Sequence, residues 1–218
     1  MDVYTAPDVA AVLALHPYVR DASFRALTIR AQLARQAATL KAAHAAGDRR
    51  IHMHLASWWP HAQGLTPDAI MAAAFSEEAA QTTMAREYGF ASWQQVEALG
   101  EAAPSRAFET ALDDMLRGDA AALRRSLQRQ PGLATQRSAY GHGATLLHYL
   151  GANGVESHRQ QTPLNAAVLA KLLIEHGART DATAAMYGGG QTPLDLARTS
   201  AHPYNAGIAE ALISVLRS

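Results

Sequence analysis

The stretch IHMHLASWWPHA at 51–62 gathers three of the chain's ten histidines, two adjacent tryptophans and a proline. Zinc held on a helix wants two histidines four residues apart, so that both rings leave the same face. His52 and His54 are two apart, which on a helix sets them about 160° from each other. His61 lies beyond Pro60, and no acid sits at ligand spacing nearby. The stretch therefore predicts a helix end buried through Ile51, Leu55 and Trp58, with Trp59 as the exposed aromatic and no metal.

A second concentration lies downstream. GHGATLLH at 141–148 and ESHR at 156–159 place His142, His148, Ser157 and His158 in a short span. A serine hydrolase needs its nucleophile on a Gly-x-Ser-x-Gly elbow, and the chain has none. YGGGQT at 187–192 suggests a phosphate loop, but it lacks the lysine and follows no strand, so it reads as a flexible turn. The adjacent acids Glu77/Glu78 and Asp113/Asp114 point to different helix faces and suit dipole and surface roles. Arg124, Arg125, Arg129 and Arg137 form either a modest basic edge or ordinary solvated helix faces, and the two readings explain them equally well. No catalytic residue, metal ligand or cofactor is assigned.

Composition narrows the setting. The 218 residues are 49% hydrophobic and 17% charged, with nineteen basic and nineteen acidic side chains. That balance lacks the cationic surplus by which proteins displace counterions from nucleic acid. There is no cysteine, which rules out disulfides and thiolate chemistry. The short apolar run near the start follows Asp2 and Asp8 rather than a basic region, unlike a secretory signal. No apolar run reaches the roughly 18–20 residues that span a bilayer. The expectation is a cytoplasmic protein, unless a receptor-read signal exports it.

The elements that must position these residues are helical throughout. Ile29, Leu33, Leu40 and Ala43 recur at amphipathic spacing within a helix expected over 22–46. Gly47 offers its stop and Asp48 the next cap. Thr66–Pro67 and Ser76–Glu77–Glu78 are two further helix starts, Gly89 is a stop, and Ser92 with Gln95 forms a capping box. LGEAAPS at 99–105 is the linker. Beyond it come hairpin helices around Phe108, Leu112 and Met115, then Leu123 and Leu127. No period-2 strand is expected.

Two stretches match each other: GATLLHYLGANG at 143–154 and GQTPLDLARTSA at 190–201, each followed by a second helix. Internal repetition at 20–50 residues is the mark of a stacked solenoid. The pattern resembles ankyrin repeats, carried by Gly143, Thr145, Leu147, His148, Leu172, Leu173, Gly177 and Ala178 in one unit. The next carries Gly190, Thr192, Pro193, Leu194 and Ala197. Residues 107–135 look like a degenerate preceding unit. Thr145 and Thr192 stand 47 residues apart, more than the roughly 33 of an ankyrin unit. The surplus falls in the loop GVESHRQQTP and the finger TAAMYGGGQ. Leu146 also takes the place of the usual proline. In the N-terminal part, AREYGFASW resembles a helical segment that precedes ankyrin repeats in uncharacterised bacterial proteins.

The resemblance implies an all-α ankyrin solenoid of about three units over 104–218, with 1–100 as a helical extension or diverged repeat-like cap. It implies that His148 hydrogen-bonds backbone and stitches neighbouring units. It implies a protein-binding module that meets an unidentified protein partner through its concave face and fingers. The expected contacts are Tyr140, His142, Tyr149, Asn153, Met186, Tyr187, Arg198, His202 and Tyr204, since Tyr and Arg anchor such surfaces. A rival expectation is an enzyme or small-ligand binder with a site under the loop 151–163. A third is self-association through Trp59 or Trp93.

Overall fold

Where the sequence shows helical spacing, local capping decides the boundaries. In the computed structural model, which describes residues 2–217, the chain falls into two compact units: residues 7–104, and residues 105–217 with the segment 2–6.

The first unit contains α1 (Pro7–Leu15), α2 (Ala22–Arg25), α3 (Ile29–Ala45), α4 (His52–Trp58), α5 (Pro67–Ala72), α6 (Glu77–Glu87) and α7 (Trp93–Ala98). The single helix expected over 22–46 is split. Thr28 adopts extended backbone and its hydroxyl accepts the Ala31 N–H at 3.2 Å, so a new helix starts there. Asp48, Thr66 and Ser76 cap as expected, accepting from Arg50, Ala69 and Ala79 N–H. The Ser92–Gln95 capping box does not form. Ser92 makes no cap bond, and Gln95 accepts instead from the Ala91 N–H at 2.9 Å.

The AREYGF segment is explained by packing. Gly89, at φ +78°, ends α6 while the Phe90 N–H returns to the Ala85 carbonyl, a left-handed stop that favours glycine. Phe90 is thereby turned inward, as are Glu87 and Tyr88 before it. α6 lies against α3 and α4, burying Leu33, Leu40, Leu55 and Met84. Each such side chain contributes about 1.5–3 kcal/mol. The tryptophans exchange the expected roles: Trp58 is half-buried, whereas Trp59 is 4% exposed. Trp59 has left helical geometry at the end of α4, and its ring meets Phe75 edge-on.

The second unit contains α8 (Arg106–Leu116), α9 (Ala120–Arg129), α10 (Leu146–Tyr149), α11 (Ala166–Glu175), α12 (Pro193–Thr199), α13 (Ala201–Asn205) and α14 (Ala209–Leu216). α8 and α9 form a hairpin, α10 meets α11 and α12, and α14 packs on α11 and α12. One continuous apolar core joins Phe108, Leu112, Leu147, Leu173, Leu196 and Leu212. Two fingers are pinched by antiparallel bridges, Arg137 to Thr145 and Ala184 to Gln191.

The expected absence of strands needs one correction. Val3–Tyr4 (β1) pairs antiparallel with Thr162–Pro163 (β2), and the Leu164 N–H donates to the Asp2 carbonyl. Two residues are too few to write a period into the sequence. Among the described residues, no helix is long and apolar enough to cross a membrane.

Loop 150–165 leaves α10 through a tight passage. A Cβ on Gly151 would lie 2.8 Å from the Leu196 Cβ and 3.1 Å from the Ala197 nitrogen. Gly151→Ala should therefore cost about 1–3 kcal/mol in urea denaturation. An unchanged midpoint would show that α12 is not seated there.

Candidate functional site

The loop that makes the repeat spacing long carries its charge inward. Glu156, Ser157 and Arg159 are all buried, with Glu156 at 0% exposure. Arg159 pairs through Nη2 with Glu109 of α8. Glu156 receives the Tyr149 hydroxyl at 3.3 Å and lies 3.7 Å from His142 Nε2. Tyr140 is enclosed beside them and titrates under the influence of both acids. The finger, α8, α10 and the loop thus converge on one buried ionic cluster.

Burial works against each charge, and the neighbours decide the outcome. Burial pulls the Glu156 carboxyl upward, but the His142 contact and the Arg159 and His158 charges hold it at about 2. Burial pushes Glu109 up, and Arg159 only partly opposes it. Arg159 is held well above its ordinary value: burial would lower it, and Glu109 and Glu156 outweigh that. Tyr140 and Tyr149 are pushed well up, first by burial and then by the adjacent acids.

Both rings of GHGATLLH commit Nδ1 to backbone, and His148 commits Nε2 as well. His142 Nδ1 accepts the Ala144 N–H at 3.1 Å, which leaves Nε2 facing Glu156. His148 Nδ1 accepts the Thr145 N–H at 3.2 Å, while Nε2 reaches the Gln191 carbonyl at 3.2 Å. An Nδ1 that accepts from an amide must be unprotonated, so the proton sits on Nε2. A general base needs a free lone pair within reach of substrate, and neither ring offers one in this arrangement. His148 thus bonds the start of its own helix and a carbonyl 43 residues on.

Thr192 and Asp195 repeat the same local chemistry at the start of α12. Asp195 Oδ2 accepts the Thr192 N–H at 3.0 Å, and the Thr192 hydroxyl accepts the Asp195 N–H at 3.2 Å.

The nine expected partner contacts divide by burial. Tyr140, His142, Tyr149 and Met186 lie inside, at 5%, 1%, 0% and 4% exposure, and offer a partner no surface. Tyr140, His142 and Tyr149 are consumed by the ionic cluster, and Met186 packs over Gly154. Tyr187 and Tyr204 are exposed at 61% and 50%, Arg198 is exposed, and Asn153 and His202 are half-buried. A chain of bonds links part of this surface: Tyr187 donates to Asn153 Oδ1 at 2.5 Å, and Asn153 donates to Thr199 at 3.2 Å. Tyr187 also takes a left-handed φ of +50° immediately before three glycines, a conformation that side chains reach only at a cost.

The first unit holds a second buried polar group, and sequence spacing missed it. His54 Nδ1 lies 2.5 Å from Glu87, which is 33 positions away, and the His16 ring meets His54 edge-on. His16 is lowered to about 2, first by burial and then by His54. Its Nδ1 bonds the Tyr18 hydroxyl at 2.9 Å. Among the described residues, no group of three or more His, Asp or Glu side chains is placed to hold a metal ion. The expected self-association through Trp59 loses its surface, because that ring is buried.

Comparison with protein-family models, with curated proteins and with solved structures finds no match for this chain.

His148 carries a pH consequence. Burial lowers it to about 4 from 6.5, so between those values the unfolded chain takes up a proton that the folded chain refuses. Its contribution is fully present above pH 6.5 and falls away as pH drops toward 4, by on the order of 1 kcal/mol per unit. His148→Gln should flatten that part of the stability–pH curve, measured by urea denaturation. A curve as steep as wild type between pH 6.5 and 4 would remove this residue from the account. In the buried ionic cluster, Arg159→Met should destabilise by about 3–5 kcal/mol by stranding buried acid. Adding Glu109→Leu should restore much of that loss, and failure to do so would mean that the pair is not the relevant unit.

Proposed function

We propose that residues 104–218 are an ankyrin-type module that binds a protein partner, using the finger and the α12–α13 surface. The observation that carries this reading is the repeated joint. Two units each open a helix with a threonine whose partner three residues on closes the cap, and His148 of one reaches the finger carbonyl Gln191 of the next. The fingers are also linked directly, by the Ala185 N–H donating to the His142 carbonyl. Stacked units of this kind present extended surfaces suited to macromolecules. Tyr187, Arg198 and Tyr204 supply the side chains that commonly anchor such contacts. Asn153 and His202 flank them, and 1–100 serves as the helical extension.

A second reading has one observation in its favour. His142 stands beside Glu156 under the loop 151–163, the pairing that a small-ligand or enzymatic site would use if the loop opened.

Affinity capture separates the two. Wild type and a Tyr187→Ala/Arg198→Ala/Tyr204→Ala variant of equal melting temperature are immobilised and exposed to native lysate. A partner retained by the wild type and weakened on the order of a hundredfold in the variant is expected. Capture unaffected by the variant would move the contact surface elsewhere. No capture by either would sink the protein-binding reading and raise the loop site.

A further inference from the structure

A polar groove of about 280 Å³ runs along the base of the two fingers, lined by Thr135, Arg137, Thr145, Arg179, Asp181 and Thr183. Arg137 is its fixed element. Its Nη1 donates to the Gly143 carbonyl at 2.7 Å and to the Thr183 carbonyl at 2.8 Å. One guanidinium is thus clamped between both fingers.

Those bonds use Nη1 alone, which leaves Nη2 and Nε without a protein acceptor among the described residues. Nor does Arg137 form an ion pair among the described residues. Arg179, by contrast, is bound to Asp181 through two bonds, at 2.9 and 2.7 Å. That pair cancels, so the lining carries the single positive charge of Arg137. The Nε–Nη2 side of a guanidinium matches the two oxygens of a carboxylate. A net charge of +1 also suits a monoanion better than a phosphate dianion.

We propose that this groove is a subsite for one carboxylate of a peptide, an acidic side chain or a C-terminus, with Arg137 as its bidentate donor. The peptide source rests on the protein-binding reading above, while the carboxylate chemistry stands on the groove itself. In sequence Arg137 reads as a basic edge or a solvated face, and the clamp between one nearby and one distant carbonyl distinguishes it.

The test is amide and guanidinium NMR of the full chain, titrated with acetate, acetamide, inorganic phosphate and the blocked peptide acetyl-Gly-Glu-Gly-amide. Saturable shifts at Arg137, Thr145 and Thr183 are expected with acetate and not with acetamide. The peptide should bind more tightly than acetate. Equal affinity would overturn the peptide source, and tighter phosphate would overturn the monoanion assignment. Arg137→Gln should weaken acetate at least tenfold. Because that change also loosens the finger clamp, Asp181→Asn serves as the independent variant, and the added net charge should tighten acetate about threefold. Absence of saturable acetate shifts, or variants indifferent to acetate, would end the proposal. None of these titrations needs a captured partner, so failure of the capture experiment and failure of this one are separable.

Discussion

Arg159 is a cation in the interior of a small helical unit, and a buried cation needs anions arranged around it. The loop 150–165 supplies the charge, α8 supplies Glu109, and the loop itself adds Glu156. Everything nearby is placed by that requirement. The finger bends so that His142 faces Glu156, and α10 turns Tyr149 inward to donate to the same carboxylate. A segment that would otherwise be loose chain between two helices becomes part of the core.

The second organising device is smaller and repeats. A threonine opens a helix, and the side chain three residues on closes the cap, with His148 in α10 and Asp195 in α12. Histidine has a second nitrogen where aspartate has only acceptors. His148 therefore serves its own helix and the Gln191 carbonyl at once.

Much of the helical architecture was legible in the residues, because caps and stops act locally. Thr66, Ser76 and Gly89 behave as their chemistry dictates. The misses share a cause in distance along the chain. Glu87 lies far from His54 in sequence, and nothing in either segment announces the pairing. Trp58 and Trp59 are neighbours of one type, and the single non-helical residue that exchanges their burial follows from the turn at Pro60. Tyr140, His142 and Tyr149 carried the right chemistry for a surface, yet two buried acids claimed them, Glu109 earlier in the chain and Glu156 on a loop written later. Periodicity reports a face, but it does not report which polar side chains meet across it.

The pairing of β1 with β2 has a mechanical consequence. Val3 meets Pro163, so this short ladder closes a chain loop of about 160 residues, and entropy makes so long a closure among the last to form. The whole helical unit 7–104 lies within that loop. Tension applied between Asp2 and Arg217 would be carried first by the C-terminal unit. The covalent path through 7–104 would be drawn taut only after the two-residue ladder parted, which makes that ladder a mechanical fuse.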